Sequence, residues 1–298
     1  MDAIKLAEAQ HHLYTLQREH GCVYLLLDRF ERTPAVEYFE SLGLAEDAWL
    51  PWMDAIYQEA PQRSPALVKI SREHSDHGTP LDRSVALAFD ELAGGPRSVC
   101  GWLVLRADAA AGARQLSSGL TAHCADGRCI YFRYFDPRVL PRVLQLLDVQ
   151  QRARLLAPVL QWIQLDRDGE LLFHRANATA DQAPGGLFFE RKTAAAIDRI
   201  QLINEVAVGL ASCGRATRHA QDAAIDEALL QAALLGLDAP EDQVTYALQA
   251  ALHGARFTHH QDLPRWVALS REAGVPLAAV LDGTPDALPV PSTETPTE

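Results

Sequence analysis

The stretch Tyr131–Leu140 reads YFRYFDPRVL: four aromatics around one arginine, then Asp-Pro. Aromatic and β-branched residues suit a half-buried pleated surface, so Cys129–Phe135 is predicted to be a strand. Its side chains would alternate, with Tyr131, Arg133 and Phe135 on one face and Phe132, Tyr134 and Asp136 on the other. Asp136-Pro137 marks a helix start, because Asp accepts from orphan N–H groups and Pro at the first position loses a donor that had no partner. Val139, Leu140, Val143 and Leu144 would then form the apolar stripe of a helix over 137–147. Asp136 is thereby explained, and Arg133 is not. A charge among large apolar neighbours must be paired or must reach an opening. Asp28, at the end of an earlier strand, is a candidate partner, and a structural ion pair is favoured over an active-site arginine.

Working outward, short apolar runs predict strands at 22–28 (CVYLLLD), 65–70 (PALVKI) and 100–105 (CGWLVL). The first follows a polar, helix-compatible leader. Thr33-Pro34 predicts an N-cap and helix as far as Gly43, Leu81–Leu92 returns to helical spacing, and residues 109–121 form an alanine-rich helix. A further helix at 149–156 precedes two strands around Asp166-Arg167-Asp168-Gly169, a hairpin signal. Strands alternating with helices predict an α/β fold: a mostly parallel mixed sheet flanked by helices, with an antiparallel hairpin at one edge. After about residue 190 the spacing becomes 3.6 throughout, in 188–211, 216–235, 240–253 and 263–273. The expected organisation is therefore an α/β lobe at 1–175, a linker at 176–186, a smaller all-helical lobe at 187–283 and a disordered tail at 284–298.

The chain has 298 residues, with 27 basic against 39 acidic and a net charge of −12. That field repels phosphate backbones and anionic membrane surfaces, so neither nucleic acid nor membrane is an expected partner. No run is long and apolar enough to cross a bilayer, and the first residues do not resemble a signal peptide. The five cysteines are scattered and odd in number, as in reduced thiols of a cytoplasmic protein.

Signals for chemistry are sparse. His123, Cys124 and Cys129 lack the second ligand pair a zinc site needs, as do His74, Asp76 and His77 in a polar loop. The nucleophile elbow and both familiar phosphate cradles are missing. No catalytic residue, metal or cofactor is expected, and the protein is read as non-enzymatic.

The order of blocks also carries a resemblance. LLLD (Leu25–Asp28), PALVKI, GWLVL (Gly101–Leu105), FRYFDPRVL (Phe132–Leu140) and APVLQW (Ala157–Trp162) together resemble the type VI secretion adaptors of the Tap/Tec type, long described as a domain of unknown function. The resemblance spans roughly residues 22–170 and is most specific in FRYFDPR; Ala157-Pro158 departs from an expected Gly-Pro. HGARFTHHQDLPRWVALSREAG (His253–Gly274) is similar to the variable C-terminal part of such adaptors. The resemblance implies a cytoplasmic adaptor or chaperone that binds one cognate toxic effector and helps load it onto the VgrG spike or its PAAR-type tip. It carries over to Asp28, Trp102, Arg133, Asp136, Pro137 and Arg138, as partner contacts or as the motif's structural core. The competing reading is a small-molecule enzyme or anion-binding α/β protein using Arg133 with Asp28 or Asp136. That reading requires a deep polar pocket at the carboxyl ends of the strands.

Overall fold

The computed structural model describes residues 2–71, 79–106, 108–175, 186–215 and 218–283. The chain divides into two compact units, Met1–Ala194 and Ala195–Glu298. The first begins with α1 (Ala3–His20), which Asp2 caps by accepting from the Ile4 and Lys5 N–H groups and Gly21 ends in a left-handed conformation. Elements then follow as β1 (Cys22–Leu27), α2 (Pro34–Ser41), β2 (Trp49–Pro51), β3 (Ala66–Ser71), α3 (Thr79–Asp90), β4 (Val99–Leu105) and α4 (Ala109–Ser117). After them come β5 (Thr121–Cys124), β6 (Cys129–Tyr131), α5 (Leu140–Leu146), α6 (Val149–Leu156), β7 (Val159–Leu165), β8 (Leu171–His174) and β9 (Leu187–Phe189).

The main sheet has six strands in the order β2-β3-β1-β4-β7-β8, and every pairing in it is antiparallel. This corrects the expected mostly parallel sheet. A strand–helix–strand alternation fixes only that chain returns across a sheet, not that the two strands become neighbours. Here β3 and β4 both run antiparallel to β1, so they are parallel to each other but separated by it. The α3 connection is thus a crossover with another strand inserted into its middle. Among the described residues the one parallel ladder, β5 with β9, lies in a second sheet of order β6-β5-β9.

Alternation along β1 divides the core. Val23, Leu25 and Leu27 pack with Leu13 and Leu16 of α1, Phe39 of α2 and Val85 of α3. Each such buried aliphatic side chain is worth roughly 1.5–3 kcal/mol relative to exposure. Leu26, Leu67, Leu103 and Trp162, at alternate positions, are buried on the opposite face. The expected hairpin forms between β7 and β8, with Asp166 Oδ1 accepting from the Asp168 and Glu170 N–H groups and Gly169 at φ +75.

The opening stretch departs from expectation. Its strand stops at Tyr131, and residues 132–139 form consecutive turns: the Tyr134 N–H donates to the Phe132 carbonyl and the Asp136 N–H to the Arg133 carbonyl. The aromatics are explained by packing rather than pleating. Phe132, Tyr134 and Phe135 are all buried, Phe132 against Phe189, Tyr134 stacked on Trp52, and Phe135 edge-on to Trp52. Three rings in four residues plug the sheet's second face, which strict alternation would forbid. The helix starts at Leu140 rather than Pro137, while Asp136 organises the turn ahead of it.

The second unit is helical: most of α7 (Arg191–Ser212), then α8 (Asp222–Leu234), α9 (Pro240–His253), α10 (Ala255–Thr258), α11 (Leu263–Ala273) and α12 (Leu277–Asp282). One core joins Ile203, Val206 and Leu210 to Ile225, Leu229 and Ala247; another joins Tyr246, Phe257, Trp266 and Leu277. Residues 187–189, expected to open the helical lobe, instead form β9 against β5. Most of the expected linker and the whole expected tail lie outside the described residues.

Two outcomes follow from the centre of the sheet. Gly101 has φ +130, and a Cβ there would collide with the Ile163 carbonyl and lie 2.8 Å from Trp162 Nε1. Gly101→Ala is expected to cost about 3 kcal/mol or more in denaturant unfolding, because backbone strain and a backbone clash coincide. Next to it, fully buried Gln164 donates to the Cys100 and Phe135 carbonyls, so its Oε1 accepts from His174 Nε2 at 3.1 Å. Burial holds the His174 pKa down at about 4. The folded state therefore binds fewer protons than the unfolded one, and stability present above about pH 6.5 falls as pH drops toward 4. The loss is of order 3 kcal/mol. His174→Gln should flatten that acid limb relative to the parent in unfolding measured across pH 7 to 4. The comparison isolates His174 from Asp28 and Glu91, whose raised pKa values act in the opposite sense.

Candidate functional site

Asp28 is the first residue after β1, and its N–H donates to the Ser98 carbonyl just before β4. The antiparallel pairing of these strands thus places the β1 exit beside the β4 entrance. Asp28 is 4% exposed; Oδ1 accepts from the Phe30 N–H at 3.0 Å, and Oδ2 is ion-paired to Arg133 Nη2. The expected pair therefore forms, but not between neighbouring strands: Arg133 reaches Asp28 from the turn after β6. Its guanidinium sits 6.0 Å from the Phe30 ring centre and 5.8 Å from that of Phe135.

Asp136 is equally buried and is held by Arg138 in a two-pronged pair, Nε to Oδ1 at 3.0 Å and Nη2 to Oδ2 at 2.7 Å. The Arg138 N–H also donates to Oδ1 at 2.9 Å, and Arg133 lies 4.0 Å from Oδ2. Burial acts to raise both carboxyl pKa values, with opposite results. At Asp28 burial outweighs the opposing Arg133 charge, and the pKa is raised. At Asp136 the Arg138 fork and Arg133 outweigh burial, and the pKa is lowered. Fork geometry decides the difference, since charge-assisted bidentate bonds are the stronger kind.

Of the six residues singled out from sequence, Asp28, Arg133, Asp136, Pro137 and Arg138 come together. Trp102 does not: it is a core residue on the helix-covered face, with Nε1 donating to Ser84 Oγ at 2.8 Å. Sequence reasoning missed Glu91, Arg97 and Ser98. Glu91 is bonded by Ser98 Oγ and by the Val99 N–H, and Thr33 Oγ1 donates to Ser98 Oγ at 2.7 Å while capping α2. The signal was an arginine just before a buried strand in Gly94-Gly95-Pro96-Arg97-Ser98.

Beside the pair lies a recess of about 40 Å³, whose walls include Phe30, Arg97, Ser98, Arg133 and Arg138. Metabolite sites are typically about 300 Å³ or larger. The recess at Arg133 is smaller than the deep polar pocket the enzyme reading requires. His123 and Cys129 face each other across β5 and β6, and no group of three His, Cys, Asp or Glu among the described residues stands close enough to hold a metal. His74, Asp76 and His77 lie outside the described residues. No helix is long and apolar enough to cross a membrane among the described residues.

Residues 23–154 match the family model DUF4123, a domain of unknown function. DUF4123 is associated with type VI secretion effector adaptors. The matched span holds the complete cluster, from Asp28 through Glu91 and Arg97 to Arg138, and ends before β7 and the helical unit. No curated protein and no solved structure matches the chain.

The Asp28–Arg133 pair lends itself to a double-mutant cycle. Arg133→Ala strands a buried carboxylate. Because the arginine side chain is 38% exposed, the loss should be about 2 kcal/mol rather than the larger cost of a fully buried pair. Asp28→Asn with Arg133→Gln should cost less than the sum of the two single changes in urea unfolding. Strict additivity would show that the two groups do not stabilise one another.

Proposed function

We propose that the protein is a non-enzymatic cytoplasmic adaptor that binds a cognate type VI secretion effector and helps load it onto a VgrG spike or PAAR-type tip. The match of residues 23–154 to DUF4123 carries this reading. The site's chemistry supports it. Every carboxylate oxygen of Asp28 and Asp136 is engaged by an N–H or guanidinium donor, so neither of these two acids stands free as a base. Phe30 is 49% exposed next to Arg133, with Arg63 5.6 Å from its ring centre. Aromatic and arginine side chains held in fixed geometry are the residue types that concentrate binding energy at protein interfaces. The α/β unit supplies this common docking surface, and the helical unit selects the effector.

The test is copurification of the full chain with the toxin encoded beside its gene. The parent chain should retain the toxin. Phe30→Ala should melt within a few degrees of it, because its ring is half exposed, yet bind at least about tenfold more weakly. Full retention by Phe30→Ala and Arg133→Gln would move the docking surface elsewhere, and failure of the parent chain to retain any neighbouring toxin would end the adaptor reading. Exchanging residues 195–283 for those of a second adaptor should switch which toxin is retained.

A further inference from the structure

Arg97 presents a separate physical problem. It is 5% exposed, its Nη2 donates to the Leu165 carbonyl at 3.1 Å, and its Nε has no partner among the described residues. The acidic groups that influence it most are Asp136 and Glu91. Both are already committed, Asp136 to the Arg138 fork and Glu91 to Ser98 and the Val99 N–H. Burial pushes the Arg97 pKa down, but a guanidinium does not give up its proton in a protein. Among the described residues no carboxylate stands within ion-pair distance of Arg97, so the charge of this buried guanidinium is compensated only at longer range, a costly arrangement.

The recess of about 40 Å³ lies against this charge. A water needs roughly 10–15 Å³ of such space, so the recess admits about three non-hydrogen atoms. That is the size of a carboxylate head, one carbon and two oxygens, and too small for a tetrahedral phosphate. Three arginines line the recess, Arg97, Arg133 and Arg138, against two acidic residues, Asp28 and Glu31. Asp28 is engaged by Arg133 and the Phe30 N–H, which leaves Glu31, exposed at the rim, as the opposing charge.

We propose that the recess is a carboxylate-binding site, in which Arg97 and Arg133 hold the incoming oxygens, Arg138 adds positive charge, and Phe30 covers the ligand's apolar part. The assignment stands on the buried Arg97 charge and does not rest on the adaptor reading. A free organic acid and an acidic side chain of a docked polypeptide present the same head group, and the experiment separates them.

The measurement is the arginine Nε–Hε signals of the full chain by ¹H–¹⁵N NMR, titrated with acetate, with inorganic phosphate, and with an acetylated, amidated tripeptide containing one aspartate. Acetate should shift the Arg97 and Arg133 signals saturably, and phosphate should bind about tenfold more weakly. The response should be lost in Arg133→Gln and strengthened in Glu31→Gln, both changes at residues with exposed surface. A tripeptide about tenfold tighter than acetate assigns the site to a polypeptide side chain, and equal affinity assigns it to a small organic acid. Shifts that never saturate, that affect all arginines alike, or that persist unchanged in Arg133→Gln overturn the proposal.

Discussion

The buried carboxylate of Asp28 organises the first unit around it. It ends the central strand of an antiparallel sheet, where water cannot solvate it, and its compensation comes from Arg133, 105 residues further along the chain. That pairing pins the turn after β6 against the exit of β1. Three neighbouring aromatics are thereby held in the sheet's second face, with Gln164 bonding the Phe135 carbonyl from the strand beneath. Charge and packing constrain each other here. The ion pair sets where the turn sits, and the ring plug withdraws the pair's inner side from solvent, which raises the cost of breaking it.

The two acids of the cluster differ for a geometric reason. Asp136 and Arg138 are two residues apart in a turn, so a single local conformation supplies both prongs and the backbone N–H. Asp28 and Arg133 meet only through tertiary structure and share one guanidinium nitrogen. The local pair needs little further ordering once the turn forms, whereas the long-range pair depends on correct assembly of the unit. The first therefore acts as a fixed brace, and the second reports whether the loop is docked.

Sequence periodicity located most elements because each hydrophobic pattern is local. The Thr33-Pro34 cap, the Asp-Gly hairpin and the four longer helices of the second unit follow from residues within a few positions of each other. Strand direction was not legible, because it depends on which strand inserts between β3 and β4, a choice made by packing across the sheet. Arg133 and Asp28 could be paired on charge bookkeeping alone, whereas the place of Trp102, in the helix-covered core away from them, could not be read. A tryptophan in a strand carries no mark of which face it will occupy. Arg97 escaped notice for a related reason: burial of a residue beside a Gly-Gly-Pro turn is a tertiary fact.

Arg97 also explains why the cluster holds an excess of donors over what its own carboxylates use. A fold selected only for stability could replace a buried guanidinium by an apolar side chain of similar volume at little cost or with some gain. Retaining the charge next to an opening commits the site to whatever anion enters it. Arg133 then has two sides: its Nη2 is engaged inward by Asp28, while the side chain as a whole stays partly exposed with its guanidinium 6.0 Å from the Phe30 ring centre. An arginine held from behind by a buried acid loses little side-chain entropy when a second carboxylate arrives. Preorganisation of that kind rewards binding a fixed charge, because less freedom remains to be lost when the ligand arrives.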